Sequence, residues 1–397
     1  MRGKLTVLMI TAFVDMLGLA MIIPLLPFYA TKLGASATVV GILIAAFSIA
    51  QLASAPLWGR FSDRYGRRPA LLVGLLISAV AYVIFAYAST LWLLLVSRVV
   101  QGLGGGTIGV VQAYVADASD PKDRAKSLGW LSAATSFGAV VGPAIGSALI
   151  HWGRHAPGIA SAIFCVLISI FAGIYLRESR EESIVTGEHA ALAETGSGAV
   201  WSVISRPKEP AQRLIWIYAI AIGAFYGTVP TLPLILAHRL PITETNVGFF
   251  VMYLGGMGVF VRAGLLGRMI EWLGEARLTR LGLVLLAAGL ALIAGVHSYL
   301  TLLVALTLMP LGTAFVFPCV TAMLSRVVPS RNRGLYMGVQ HTFGGVSRVV
   351  FPLAAGAAMD HLGLGFPFVV AGVLVLTTLL LTTSMEDYAA TRAPSMT

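Results

Sequence analysis

Long apolar runs recur along almost the whole sequence. Each holds about 20 mostly apolar residues, the length that an α-helix needs to cross the hydrocarbon core of a membrane. Hydrocarbon cannot hydrogen-bond an open strand edge, so runs of this length predict helices. The runs lie at residues 5–30, 39–58, 69–88, 91–116, 125–150, 157–176, 213–237, 245–266, 278–296, 299–325, 334–358 and 364–383. The sequence therefore predicts an all-α membrane protein of twelve transmembrane helices.

The composition favours a membrane protein over a soluble one. Charged residues make up 11% of the chain and hydrophobic residues 57%, far from the balance of a soluble domain. The 43 glycines suit close helix contacts in lipid, which favour small residues. The formal net charge is +10, but the basic residues lie in short loops between apolar runs rather than on one exposed face. We therefore expect no nucleic-acid binding.

Residues within the runs argue against a metal site and a cleaved leader. Cys165 and Cys319 both lie inside apolar runs without metal-ligand spacing, so no metal site is expected. The N-terminus resembles a signal peptide, because Arg2 and Lys4 precede an apolar stretch. However, Asp15 interrupts this stretch and hydrophobicity continues beyond it. We expect an uncleaved first span.

The basic residues also predict the orientation of the chain. Most of them, with Arg262 counted among them, lie in loops on the side of the N-terminus, whereas the opposite loops hold Lys32, Arg154 and Arg239. Because Lys and Arg concentrate in cytoplasmic loops, both termini are expected in the cytoplasm. We expect the membrane to be a bacterial cytoplasmic (inner) membrane.

The twelve runs form two sets of six, and the two sets share landmarks. We expect an N-terminal bundle at 1–176, a cytoplasmic linker at 177–212, and a C-terminal bundle with a short tail at 213–397. The shared landmarks are Pro-x-x-Pro at 24–27 and 230–233, Gly-x6-Gly at 59–66 and 267–274, and an intramembrane proline at Pro143 and Pro352. They recur about 208 residues apart, which indicates an internal repeat.

Three motifs carry a family resemblance. They are, in the loop after the second run, Gly59, Asp63, Arg64, Gly66, Arg67 and Arg68; in the fourth run, Arg98 and Gln101; and in the fifth run, Gly138, Gly142, Pro143 and Gly146. Together they resemble the major facilitator superfamily and, within it, the twelve-span drug–proton antiporters, including tetracycline exporters. Ser147 stands where that family often has a further glycine.

The resemblance implies a fold, a mechanism and a set of site residues. The fold would be two pseudo-symmetric six-helix bundles, and the mechanism would be alternating access coupled to protons. It places proton coupling at Asp15 and Arg98, a conformational latch in the loop motif, and an exporter motif in the fifth run. We expect the substrate cavity to include the following residues: Gln101, Tyr226, Gln340, His341 and Arg348.

Asp15 is the residue with the clearest physical argument for function. It lies about 15 Å along the first helix, at 1.5 Å per residue. A carboxylate at that depth is costly and usually serves a function. A proton and a cationic substrate can compete for one such carboxylate, which yields exchange. The alternative is that Asp15 is permanently paired with a buried arginine or caps backbone groups. Ala221 occupies the corresponding position of the second half, so the fold itself does not require the acid.

The intramembrane cations leave alternatives open. Arg98 can bias the charge of Asp15 or bind an anionic group, but it can also snorkel to the outer headgroups. Arg348 lies near mid-span without an obvious acidic partner in sequence. His341 can titrate, and a hydrogen-bonded structural role is equally compatible with its position.

The loop and glycine motifs predict close contacts. In the resembling family the acid of the loop, here Asp63, faces the start of the eleventh helix, where the helix dipole favours a negative charge. Gly59 and Gly66 would allow close helix approach and a tight turn. Gly138, Gly142 and Gly146 share one helix face, and we expect the eighth helix to pack against it.

The expected function is proton-coupled export of small amphipathic compounds, multidrug-like or tetracycline-like. The alternative is a lipid flippase, or a metabolite uniporter or symporter, on the same fold. A transport-dead sensor is disfavoured because the tail is short. An enzyme is not expected, since the sequence has no HExxH, GxSxG or P-loop motif. We expect no cofactor beyond the proton gradient, and a monomer whose partners are substrate, protons and membrane lipid.

Overall fold

The computed structural model describes residues 2–120, 123–176, 178, 198–383 and 385–386. Within these ranges every regular element is a helix, which confirms the predicted fold class. Most of the predicted linker lies outside the described residues, as does the tail after Glu386.

Ten helices of the described chain are long and apolar enough to cross a membrane. Nine of them are α1 (Leu5–Lys32), α2 (Ala37–Tyr65), α3 (Arg67–Ala86), α4 (Leu91–Asp117), α5 (Lys126–Trp152), α6 (Ala156–Tyr175), α7 (Pro210–Arg239), α10 (Tyr299–Val327) and α11 (Ser330–Leu362). A shorter apolar helix, α12, spans Phe366–Thr382.

The tenth long helix, Val247–Ala294, contains two spans. Its 48 residues would extend about 72 Å as one straight helix, well beyond the thickness of a bilayer with its headgroups, about 40–45 Å. Gly274 interrupts it with φ 74° and ψ 162°, a conformation open to glycine. The part before Gly274 is α8 and the part after it is α9. The described chain thus contains the twelve spans that the sequence predicts.

The repeated Pro-x-x-Pro landmarks mark irregular points in α1 and α7. Residues 23–25 form turns between two helical parts of α1. In α7 a π-helical segment at Gly223–Gly227 is followed by a 3₁₀ turn at Val229–Thr231. Proline lacks the N–H that would continue the helical ladder. The repeat therefore recurs in backbone geometry as well as in sequence.

The described residues divide into two units. The first contains those of Met1–Ser183 and Pro233–Gly255, and the second those of Ile184–Leu232 and Gly256–Thr397. In the first unit α1 packs on α5 and α6, α3 on α4 and α6, and α2 on α4. In the second unit the corresponding neighbours recur, with α7 packing on α11, and α9 on α10 and α12.

The glycine face of α5 is packed as closely as predicted, but against a different helix. A Cβ at Gly138 would lie 2.5 Å from the Phe13 oxygen, and one at Gly142 would lie 2.7 Å from the Ala20 Cβ. A Cβ at Gly146 would overlap the Met21 oxygen. The helix on this face is therefore α1, and the expectation of the eighth helix was wrong.

The eighth helix contacts α5 beside this face. A Cβ at Gly248 would overlap the Pro143 oxygen, and the Gly248 N–H donates to Ser147 Oγ over 2.9 Å. Ser147, which departs from the family pattern, thus satisfies a backbone donor at the start of α8. Spacing identified the flat face, but it could not identify which neighbour covers it.

Gly146→Ala is expected to destabilise the protein by about 1–3 kcal/mol, because the methyl group meets backbone that cannot rotate away. Gly129→Ala is the matched control on the same helix, since nothing lies within 4 Å of its Cβ position. It should be neutral or stabilising by up to about 1 kcal/mol, because alanine favours a helix. Thermal melting of the purified protein measures both. Equal melting temperatures for the two variants would contradict the packing described.

Candidate functional site

A cavity in the first unit lies between α1, α4 and α5. Its volume is about 610 Å³, within the range of small-molecule sites. Its walls are mainly apolar, with a few polar groups. The lining residues are Ala12, Asp15, Met16, Ile108, Gly109, Val111, Gln112, Ala113, Ala116, Leu128, Leu131, Ser132 and Thr135. An apolar chamber with few polar groups suits a small amphipathic ligand.

Asp15 is the only acid among these lining residues. Its side chain is half-buried, and no cation of the described residues lies within ion-pair distance of it. The permanent ion pair, which was one of the alternatives, is therefore not formed here. Gln112, Ser132 and Thr135 complete the polar part of the wall. The sequence analysis did not identify these three residues, although their spacing on α4 and α5 is compatible with one face.

Arg98 lies apart from this cavity, in the interior of the first unit. It is 2% exposed, so it does not reach the headgroups and the snorkelling alternative is wrong. Its guanidinium lies over the Phe85 ring, 5.1 Å from the centroid. Its Nε and Nη2 have no hydrogen-bond partner among the described residues. Gln101 is also 2% exposed, and its side chain lies beside the Tyr82 hydroxyl.

Tyr82 lies near both Asp15 and Arg98. Its ring lies within electrostatic range of both side chains. Its hydroxyl is 3.5 Å from the Cβ position of Gly18, one turn beyond Asp15. The sequence predicted Asp15 and Arg98 as one site, whereas the structure places a tyrosine within range of both. An aromatic residue in an apolar run gives little sequence signal, which is why Tyr82 was not predicted.

In the second unit, the predicted residues Tyr226, His341 and Arg348 belong to one cluster with Tyr218 and Phe317. Arg348 lies over the Tyr226 ring at 5.7 Å. Tyr226 stacks on Phe317 at 6.3 Å, and Phe317 meets Tyr218 edge-on at 5.5 Å. His341 meets Tyr218 edge-on at 6.3 Å. Tyr218 lies two helical turns before Tyr226, and this spacing is the signal that could have identified it.

Gln340 lies outside this aromatic cluster. It is fully buried, and its Oε1 accepts a hydrogen bond from Thr321 Oγ1 over 3.4 Å. Its Nε2 has no partner among the described residues.

The predicted position of Arg262 needs correction. The sequence places it in the inner loops, but it lies in a π-helical segment of α8, Val261–Leu265. The helix continues to Gly274, about two turns beyond the predicted end of this run at residue 266. Arg262 and Arg348 are both within electrostatic range of Tyr218.

The loop motif forms a charge network within the first unit. Arg67 binds Asp63 over 2.8 Å and Asp117 over 3.1 Å. The backbone N–H groups of Arg67 and Arg68 donate to the carboxylate of Glu178 over 2.9 and 3.1 Å.

The two loop glycines differ. Gly66 has φ 103°, which confirms the predicted tight turn. At Gly59 no described atom lies within 4 Å of a Cβ, so no close approach occurs there. The contact of Asp63 with the start of α11 stays a prediction.

The corresponding ion pair of the second unit has the opposite polarity. Arg67 at the start of α3 pairs with Asp117 at the end of α4. Glu275 at the start of α9 pairs with Arg326 at the end of α10. Both members are displaced by about 208 residues, the period of the repeat. The geometry is thus repeated while the charges are exchanged.

Comparison with known proteins places these features in one family. A family model, Major Facilitator Superfamily, matches residues 8–293 and 263–395. The chain is 29% identical over 384 residues to Multidrug resistance protein 1 of Bacillus subtilis (strain 168), and the alignment covers 95% of each protein. It is 26% identical over 364 residues to Tetracycline resistance protein, class B, of Escherichia coli, with 91% and 90% covered.

Two solved structures share the fold. The human organic anion transporter MFSD10 (TETRAN) is 25% identical, with a TM-score of 0.67 and coverage of 96% of this chain and 99% of that one. A bacterial homologue of the human lysosomal transporter Spinster, in an inward-facing and unoccupied conformation, has a TM-score of 0.81 at 14% identity, with 99% and 98% covered. The second likeness concerns the fold alone.

Arg98→Met is expected to keep or raise the melting temperature, because it replaces a buried cation lacking hydrogen bonds by an apolar side chain of similar length. The matched control, Arg67→Met, removes a paired arginine and should not raise it. Both are measured by thermal unfolding of purified protein. A fall of several degrees in Arg98→Met would mean that Arg98 holds the first unit together.

Proposed function

Because the chain belongs to the Major Facilitator Superfamily, we propose that it is a proton-coupled antiporter that exports small amphipathic molecules. It is a multi-pass membrane transporter, and it is similar to proteins named for multidrug and tetracycline resistance. The observation that carries the proposal is Asp15, a carboxylate in the wall of a largely apolar cavity that forms no ion pair among the described residues.

Asp15 would bind either a proton or the polar part of a substrate. An ionised carboxylate in a low-dielectric site strongly favours a counter-charge or a proton. If the substrate displaces the proton on one side of the membrane and the proton displaces the substrate on the other, exchange follows without further machinery. Gln112, Ser132 and Thr135 would offer hydrogen bonds, while the apolar wall would hold the rest of the molecule.

Arg98 and Tyr82 would adjust this exchange. Tyr82 lies within electrostatic range of both Asp15 and Arg98, so it is the group through which the two residues would be coupled. A buried cation without hydrogen bonds is costly, which favours a role beyond packing. The ion gradient supplies the energy, and no cofactor is involved in this proposal.

We further propose that the loop motif acts as a cytoplasmic latch and that both termini lie in the cytoplasm of a bacterial cell. The protein would work as a monomer. Asp63 is partly exposed and binds Arg67; an exposed pair of this kind contributes less than about 1 kcal/mol to stability. The main role of the Asp63–Arg67 pair would therefore be in the transport cycle rather than in stability.

The second candidate is a lipid flippase, or a uniporter or symporter for an anionic metabolite. It is favoured by Arg98 and Arg348, cations within the spans whose guanidinium groups have nitrogens without a hydrogen-bond partner among the described residues.

Asp15→Asn is expected to abolish proton release in proteoliposomes that carry a pH gradient, because the amide cannot exchange a proton. A pH-sensitive dye reports the movement during addition of cationic, neutral and anionic amphiphiles. Asp120→Asn is the matched control, since Asp120 is exposed outside the spans. Proton release that persists in Asp15→Asn would remove Asp15 from the coupling step. Lipid or metabolite exchange without proton movement would favour the second candidate.

Asp63→Asn is expected to slow transport several-fold while substrate affinity and melting temperature stay nearly unchanged. Asp117→Asn is the matched control, because it removes the other carboxylate that binds Arg67. Initial transport rates and accessibility of cavity cysteines from each side measure the effect. If both variants behave alike, Asp63 only neutralises Arg67 and the latch is wrong.

A further inference from the structure

The cluster around Arg348 in the second unit has chemical features that suit an anionic ligand. Arg348 lies near the middle of α11, about 22 Å from Arg333 at 1.5 Å per residue. An arginine at this depth is too costly to face hydrocarbon, so it faces the interior or a water-filled space. Its side chain is half-buried, and its Nε has no hydrogen-bond partner among the described residues. The guanidinium is therefore available to an anion.

The neighbouring spans hold few acids. The sequence has no Asp or Glu between Glu275 and Asp360, and between Arg213 and Gly274 its acids are Glu244, in the loop after α7, and Glu271, at the end of α8. Arg262 adds a second cation, since it and Arg348 both act on Tyr218 electrostatically. Glu275 is already paired with Arg326. The field in this part of the second unit thus favours negative charge.

An aromatic ring, itself stacked on a second one, faces the cation. Tyr226 is 44% exposed, with Arg348 over one part of its ring and Phe317 stacked on it at an interplanar angle of 20°. A flat ligand ring can stack beside these residues while its anionic group reaches the guanidinium. An arginine offers two parallel N–H donors to a carboxylate, which adds geometric selectivity.

The backbone holds Tyr226 in place for this contact. Tyr226 belongs to the π-helical segment Gly223–Gly227. Cβ atoms at Gly223 and Gly227 would overlap the side chain of Phe351 on α11, so the two glycines allow α7 to approach α11 closely. Segments of π-helix often occur at functional sites. Here the segment brings an aromatic ring of α7 against an arginine of α11.

We infer that this cluster recognises the anionic, aromatic part of a transported molecule, such as an aryl carboxylate. The inference rests on the proposed function in one respect, that the cluster contacts the transported molecule. It adds a substrate class, because amphipathic cations would be repelled by Arg262 and Arg348 while aryl anions would be attracted. His341, which lies edge-on to Tyr218, would add a further donor at the rim.

Calorimetric titration of the purified full chain tests this inference without a pH gradient. The probes are 2-naphthoate, 2-naphthamide and 2-naphthylmethylammonium, which share one ring and differ in charge; empty micelles correct for partitioning. We expect 2-naphthoate to bind at least about tenfold more tightly than the amide, a difference near 1.4 kcal/mol, and the ammonium to bind most weakly. Equal affinities, or preference for the ammonium, would overturn the inference.

Variants assign the preference to individual side chains. Arg348→Gln should lower naphthoate affinity to that of the amide and leave amide binding unchanged, whereas Arg348→Lys should keep part of the preference. Tyr226→Leu should weaken naphthoate and amide alike. Arg268→Gln, an exposed arginine of the same unit, is the matched control and should change neither. Unchanged naphthoate binding in Arg348→Gln would refute the site. If Arg348→Gln does not fold, the results for Arg348→Lys and Tyr226→Leu decide instead, and unchanged naphthoate binding in both would refute the site.

Two further titrations distinguish an aryl-anion site from a lipid-headgroup site and from the proton-coupling site. Dihexanoyl phosphatidylglycerol presents an anionic headgroup without an aromatic ring. If it binds through Arg348 as tightly as 2-naphthoate and ignores Tyr226→Leu, the site takes lipid headgroups and the inference is wrong. Asp15→Asn should bind 2-naphthoate normally. Failure of proton coupling and failure of this site are therefore distinguishable.

Discussion

A peptide group inside hydrocarbon has no hydrogen-bond partner except another peptide group or side chain, and the rest of the structure depends on this constraint. It converts each long apolar run into a helix, and it makes every departure from a helix significant. The departures in the described spans are few: turns in α1 and at residues 106–107 of α4, π-helical segments in α7 and α8, 3₁₀ segments in α5, α7, α11 and α12, and the break at Gly274. Those at the Pro-x-x-Pro motifs of α1 and α7 coincide with the repeat. Because proline has no backbone N–H, breaking the helix there loses fewer hydrogen bonds and costs less free energy.

The same constraint explains what could be predicted from the sequence. Run length determines the spans, so the twelve helices and the all-α class were accessible. The number of helices was recovered because charged residues, among them Arg268, Glu271 and Glu275, separate the apolar runs of α8 and α9, although the helix is interrupted only at Gly274. Glycine spacing predicted the flat face of α5, but the identity of its neighbour depends on tertiary packing that no local pattern encodes. The α1 helix covers that face, and Gly248 of the eighth helix reaches only Pro143 and Ser147.

The site was predicted in part for the same reason. A charged residue in an apolar run is conspicuous, so Asp15, Arg98 and Arg348 were found. Gln112, Ser132 and Thr135, which line the cavity with Asp15, are polar residues of a kind common in helices. Tyrosines such as Tyr82 and Tyr218 are largely apolar and do not stand out within an apolar run. Their importance comes from the direction in which each helix face points, which requires the packed structure.

The repeat provides an internal control for deciding which charges the fold needs. Where charges occur in both halves, at Arg67–Asp117 and Glu275–Arg326, the polarity is exchanged while the contact stays; the fold needs an ion pair there but not a particular sign. The intramembrane charges behave differently. Asp15 corresponds to Ala221, and Arg348 corresponds to Ala139, at the repeat separation of about 208 residues. In both cases the corresponding helix of the other unit has an alanine at this position. The charge is therefore costly in a membrane and is not required for folding. A cost without a folding benefit is what a residue that meets protons or ligands would carry, so Asp15, Arg348 and the residues around them are the features that should determine the transport chemistry of this chain.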